Sequence, residues 1–164
     1  MTLRVLDIAR GTSVDGPGLR DSIYFAGCHH ACEGCHNPQS WDMNGGREMS
    51  DDEIMEILRY DDFDVTFSGG DPMYRAADVA RLARRIKAEL GKTIWCYTGF
   101  KFESIVSDPH FRCVLEVVDV LVDGPFVLAE RDISLRFRGS GNQRIIDVKR
   151  SLATGTVVLM QQYM

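Results

Sequence analysis

Three of the chain's five cysteines, Cys28, Cys32 and Cys35, fall within eight residues, inside the stretch GCHHACEGCHNPQSW from Gly27 to Trp41. Cysteines spaced x3 and then x2 cannot all pair with one another, and the other two, Cys96 and Cys113, lie far downstream. A metal ion or a cluster is the natural occupant of such a loop. Closely spaced cysteines act as ligands or catalysts more often than as disulfides in a reducing compartment, and the chain carries neither a signal peptide nor an apolar run of the roughly 18 residues that span a membrane. The expectation is therefore a cytoplasmic protein with no membrane partner.

A length of 164 residues fits one domain over 1–164 and is enough for a real core. The net charge of -5, with no run of Lys and Arg, argues against nucleic acid, whose phosphates require a basic stripe. Arg81, Arg84, Arg85 and Lys87 do cluster, but on a helix whose other face is apolar, so they read as a solvated face.

Along the chain, Leu3 to Ala9 reads as a strand, followed by the turn GTSVDGPG. Arg20 to Ala26 alternates as a second strand, so the cysteine loop leaves a strand's C-terminal end, where α/β proteins place their chemistry. Ser50 with Glu53 forms a capping box ahead of Ile54, Ile57 and Leu58, which predicts a helix of about ten residues. Phe63 to Phe67 is a strand running into SGGDP, and Ala76 to Leu90 is an amphipathic helix closed by Gly91. Thr93 to Tyr97 and Val118 to Val122 are further strands, ending at TGF and DGP, with short helical segments at Phe102 to Val106 and Phe111 to Val117 between them. A strand after RGSGNQR, and one more at Thr156 to Met160, complete the pattern.

Strands alternating with helices imply parallel pairing through right-handed crossovers. A complete eight-fold barrel needs about 250 residues, so the expected fold is α/β: an incomplete, open (βα) barrel with five or six core parallel strands.

Two occupants fit the cysteine spacing. Three thiolates hold three irons of a 4Fe-4S cluster and leave the fourth open, whereas the ferredoxin cluster has four cysteine ligands; an open iron can bind a substrate or cofactor directly. The alternative is structural zinc, with His29, His30 or His36 as fourth ligand. Such zinc sites usually draw on two separated ligand pairs, and here every candidate crowds into nine residues, which favours the cluster. Cys96 in an apolar strand and Cys113 in a helical segment read as buried hydrophobes, and Trp41 as packing for the loop's exit.

Cys-x3-Cys-x2-Cys is also the cluster motif of the radical S-adenosylmethionine enzymes. The longer run VDGPGLRDSIYFAGCHHACEGCHNPQSW resembles the activating enzymes of glycyl-radical proteins. SGGDP, the YTG loop, VDGPF and RGSGNQR, in that order, resemble the activating proteins of anaerobic ribonucleoside-triphosphate reductases. The resemblance implies that Cys28, Cys32 and Cys35 ligate a 4Fe-4S cluster whose open iron takes S-adenosylmethionine. It further implies that Gly34, Cys35 and His36 lie against the adenosyl part, and that Gly69, Gly70 and Asp71 meet the methionyl amino group, where bare backbone allows close approach. The plainer role for Asp71 is the N-cap of a strand-to-helix turn. Related activases carry a lysine two residues after the Asp that matches Asp123, and this chain has Pro125 there.

The implied chemistry is one-electron reductive cleavage of S-adenosylmethionine and hydrogen abstraction from a glycine Cα. The implied partners are the large catalytic subunit of the reductase and a flavodoxin- or ferredoxin-like electron donor. No protein nucleophile, acid or base is required, in keeping with the lack of a triad or paired carboxylates. Rival readings are another radical S-adenosylmethionine activity, such as activation of pyruvate formate-lyase or synthesis of a deazaguanine precursor, and a zinc-binding scaffold module. Asn142 and Gln143 are candidates for hydrogen-bonding an incoming peptide, or belong to a plain surface loop; the Gly16-Pro17-Gly18 turn either shapes the pocket or only reverses the chain.

Overall fold

A computed structural model describes residues 1–164 and gathers the strand-forming segments into one open sheet of seven strands. In chain order these are β1 (Thr2–Thr12), β2 (Arg20–Phe25), β3 (Arg47–Ser50), β4 (Asp64–Gly69), β5 (Ile94–Tyr97), β6 (Val120–Asp123) and β7 (Arg144–Asp147). Their spatial order is β3-β1-β2-β4-β5-β6-β7. The helices are α1 (Asp51–Leu58), α2 (Ala76–Arg85), α3 (Phe102–Ser107), α4 (Pro109–Leu115) and α5 (Val148–Thr154).

Local chemistry explains the helix limits. The Glu53 N–H donates to Ser50 Oγ at 3.1 Å while the Ser50 N–H donates to Glu53 Oε2 at 2.7 Å, so the expected capping box starts α1. α2 continues as a π-helical turn, Ile86–Leu90, and ends where Gly91 takes φ 64°. That left-handed conformation costs glycine no Cβ clash.

Side chains alternate across the sheet and give its two faces different jobs. Ile23 and Phe25, Val65 and Phe67, Ile94 and Cys96, and Leu121 and Ile146 face the helices and join Val79, Leu82, Ile86, Ile105 and Val114 in the main core. Each such large apolar side chain contributes about 1.5–3 kcal/mol on full burial. The intervening residues point to the opposite face. There Trp95, Val120, Val122 and Ile145 form a smaller cluster covered by Phe137, Met160 and Tyr163. On β2 and β4 the same face carries Arg20, which donates to Thr66 Oγ1 at 2.9 Å and to the Val65 carbonyl at 2.8 Å.

The expectation of five or six parallel core strands is corrected to four. β2, β4, β5 and β6 are mutually parallel, whereas β1, β3 and β7 pair antiparallel. Parallel neighbours need a helical crossover, and antiparallel neighbours need only a turn or loop. Helices separate the four parallel strands in the chain, but β1 reaches β2 through the GTSVDGPG turn, and the span from β6 to β7 contains a single short 3-10 turn, Leu128–Glu130. The expected strand at Thr156 to Met160 shrinks to one bridge between Leu159 and Ile146. β3 and α5 form where no element was expected: β3 is a short edge strand, and Asp147 caps α5 by accepting from the Arg150 N–H at 3.0 Å. The basic cluster on α2 and its extension is a paired surface: Arg81 binds Asp51 and Asp78, Arg85 binds Asp52 and Glu89, and Lys87 binds Asp119.

Candidate functional site

All four parallel strands end at one cavity of about 780 Å³. Cys28 follows β2, Gly69 and Gly70 close β4, Thr98 and Gly99 follow β5, and Gly124 follows β6. Open α/β sheets bind ligands at this edge because the loops leaving parallel strands converge there.

The cysteine loop is fastened at its neck. The Gly27 N–H donates to the Ser40 carbonyl at 2.7 Å and the Cys28 N–H to the Trp41 carbonyl at 3.2 Å, which closes the loop at its base. Trp41 thus serves the exit through its backbone as well as its half-buried ring. Arg75 holds the neck from α2's side, donating to the Ala26 carbonyl at 3.2 Å and to that of Met43.

Cys28, Cys32 and Cys35 are all half-buried free thiols lining the cavity. Burial, with smaller contributions from Asp71 and the other two cysteines, pushes the Cys28 thiol up to about 11. A metal or cluster bound there must displace that proton. The Asn37 N–H donates to Cys35 Sγ at 3.4 Å, supplying a donor to a sulfur that carries negative charge when it acts as a ligand. No three His, Cys, Asp or Glu side chains are gathered as a single ion requires. A single zinc ion needs all its ligands at one point, whereas a cluster places each thiolate on its own iron. Cys96 is fully buried and Cys113 packs against the main core.

Asp71 is 1% exposed, and both carboxylate oxygens are engaged within the protein. Oδ1 accepts from the Met73 N–H at 2.9 Å as an N-cap. Oδ2 accepts from Thr98 Oγ1 at 2.9 Å and the Gly99 N–H at 2.8 Å, and lies 2.7 Å from His30 Nε2. Of the two roles expected for Asp71, the structure displays the cap, together with a latch joining the cysteine loop to the ends of β4 and β5. His30 enters here as a partner of Asp71 that sequence reasoning considered only as a zinc ligand; nothing in a linear spacing announces a contact across 41 residues.

The glycines beside the latch are obligatory. A Cβ on Gly70 would collide with the Gly27 carbonyl and come within 2.8 Å of the Ser40 carbonyl oxygen, the group that fastens the loop. Gly69, at φ 107°, lies against the Phe25 backbone. Gly34 takes φ 75° and lies beneath Leu128, and the His36 ring meets Phe126 edge to face with centroids 5.2 Å apart. The sequence-derived set of Cys28, Cys32, Cys35, His36, Gly69 and Gly70 therefore borders one cavity, whereas Gly34 is exposed and Asp71 is buried, neither lining it.

Tyr24, Asp15, Tyr97, Phe126 and Gln143 also line the cavity and were not singled out as lining it from the sequence. Tyr24 donates its hydroxyl to Asp15 in the DGPG turn, and Arg20 donates to the Pro17 carbonyl at 3.5 Å, so the turn does more than reverse the chain. Asp123 is committed to Arg144, whose Nε donates to Oδ1 at 3.0 Å and whose Nη2 donates to Oδ2 at 2.6 Å.

A family model described as a 4Fe-4S single cluster domain matches residues 14–146. The anaerobic ribonucleoside-triphosphate reductase-activating protein of Escherichia coli strain K12 is 38% identical over 139 residues, covering 79% of this chain and 89% of its own. The chain belongs to this family. The protein of the same name from Vibrio cholerae is also 38% identical, over 141 residues, 80% of this chain and 90% of its own. The one from Enterobacteria phage T4 is 33% identical over 141 residues, 80% of this chain and 86% of its own. No helix is long and apolar enough to cross a membrane.

Proposed function

We propose that this protein activates an anaerobic ribonucleoside-triphosphate reductase as a radical S-adenosylmethionine enzyme. The observation that carries the reading is the convergence of three thiols and the bare backbone of Gly69 and Gly70 on one cavity at four parallel strand ends, in a chain of this family. On this reading the open sheet is an incomplete barrel whose strand ends turn toward the reaction.

Cys28, Cys32 and Cys35 are the residues to hold the 4Fe-4S cluster, and His36, Gly69 and Gly70 border the space for S-adenosylmethionine. The pair, when bound, supplies one-electron cleavage of the sulfonium, with the electron from a flavodoxin- or ferredoxin-like donor, and hydrogen-atom abstraction from a glycine Cα of the reductase's large subunit. The chain's own part is to hold, orient and shield. The loop neck at Gly27 and Ser40 sets the thiols over the strand ends, and the Asp71 latch keeps the ends of β4 and β5 in register with the loop. A protein that orients a reactive cofactor and excludes side reactions needs no nucleophile of its own.

The test is anaerobic reconstitution followed by iron and sulfide analysis and electron paramagnetic resonance. The expected result is cluster binding, reduction-dependent cleavage of S-adenosylmethionine and a glycyl radical on the candidate large subunit, all lost in Cys32→Ala. Cleavage that persists in Cys32→Ala, or a silent large subunit in the presence of a competent reductant, would overturn the reading.

A further inference from the structure

We infer that Ser140, Asn142 and Gln143 are positioning residues that hold Phe126 against His36, and that this ring pair is the wall on which the adenosyl half of S-adenosylmethionine rests. The inference depends on the cofactor reading above. It assigns the RGSGNQR stretch a task in this chain other than peptide binding.

Three side chains of that stretch bracket Phe126 from both sides. Gln143 Nε2 donates to the Gly124 carbonyl at 3.1 Å, Asn142 Nδ2 donates to the Pro125 carbonyl at 2.8 Å, and the Val127 N–H donates to Ser140 Oγ at 3.2 Å. The three are also tied to one another and to their own turn. Ser140 Oγ donates to Asn142 Oδ1 at 2.6 Å, and Gln143 Oε1 accepts from the N–H groups of Gly139 at 2.8 Å and Ser140 at 3.3 Å. Ser140 is fully buried. Both ends of each amide are thus engaged within the protein, where an incoming peptide would have to compete for them.

The bare backbone of Gly139 completes the seat: a Cβ there would stand 3.0 Å from Phe126 Cδ2. Phe126 then meets His36 with centroids 5.2 Å apart and planes at 72°, and both rings line the cavity. His36 directly follows Cys35, so a ligand held at the thiol end by its amino-acid half reaches the ring pair with its other half. Two aromatic rings at a cavity wall suit a planar heteroaromatic base, which packs on them through edge-to-face or offset contacts.

The test compares equilibrium binding of S-adenosylmethionine and of methionine to the anaerobically reconstituted protein, methionine being the half without the base. Phe126→Ala and Gln143→Ala should each weaken S-adenosylmethionine binding about tenfold, the scale of a lost aromatic contact, and leave methionine binding and iron content unchanged. Phe126→Tyr should bind as the wild type does. Because Gln143 acts through Phe126, the double variant should bind no more weakly than Phe126→Ala. Gln143→Glu, which keeps the acceptor for Gly139 and Ser140 but loses the donor to Gly124, replaces Gln143→Ala if that variant does not fold. Equal losses for both ligands, additive losses in the double variant, or an unchanged Phe126→Ala would overturn the inference while the cofactor reading stands. A wild type with a full cluster that fails to bind S-adenosylmethionine would sink both.

Discussion

Asp71 accepts hydrogen bonds from Met73, Thr98 and Gly99 and pairs with His30, all from a position 1% exposed. A carboxylate suits this place because it only accepts. Asn puts an NH2 group on one side, and at least one buried donor then loses its partner, which costs about 1–3 kcal/mol. Asp71→Asn should lower stability by that amount, read as a shifted urea midpoint at unchanged slope; an unchanged midpoint would show that the latch is not under load. Gly70 belongs to the same scale, since even a methyl group meets the two carbonyls at the loop's neck. The three cysteines were legible as a group from their spacing, and Gly69 and Gly70 from the strand they close; all five line the cavity. His30 and Phe126 were not legible in their present roles, because each acts through a contact with a residue far away in the chain.

Among the elements, those with local signals follow the sequence closely. The Ser50 and Glu53 pair starts α1, and Gly91 ends the long helix that begins at Ala76. Ser50→Ala removes the Ncap acceptor and should destabilise the protein by about 1 kcal/mol, measured by chemical denaturation, with iron loading unaffected because α1 lines no part of the cysteine cavity. β3 has no such signal and was missed, and so was α5 although Asp147 caps its start and Gly155 its end. β3 is four residues long and exists because it pairs with β1, and the last expected strand failed because its segment meets β7 at a single bridge, Leu159 with Ile146. Strand formation at an edge depends on what lies alongside.

For the molecule as a whole, the two faces of the sheet divide stability from function. The helix-covered face holds the main core, and the other face and the strand ends hold the cavity. A ligand that binds only the folded cysteine loop stabilises the whole chain by mass action. Anaerobic loading with iron and sulfide should therefore raise the thermal midpoint, each ~1 kcal/mol of net stabilisation being worth about 2–4 °C in a chain of this size. A chelator should reverse the gain, and Cys32→Ala should respond to neither treatment; a midpoint that rises equally in Cys32→Ala would place the stabilising metal elsewhere. By itself the sequence determined the cysteine loop, the glycine-closed strands and the capped helices, because spacing, turn chemistry and side-chain period act between near neighbours. Only the tertiary structure decided that β2, β4, β5 and β6 pair in parallel while β1, β3 and β7 make only antiparallel pairs, that His30 latches Asp71, and that Phe126 meets His36. Those depend on which distant segments come to lie side by side, and that is settled when the whole chain packs.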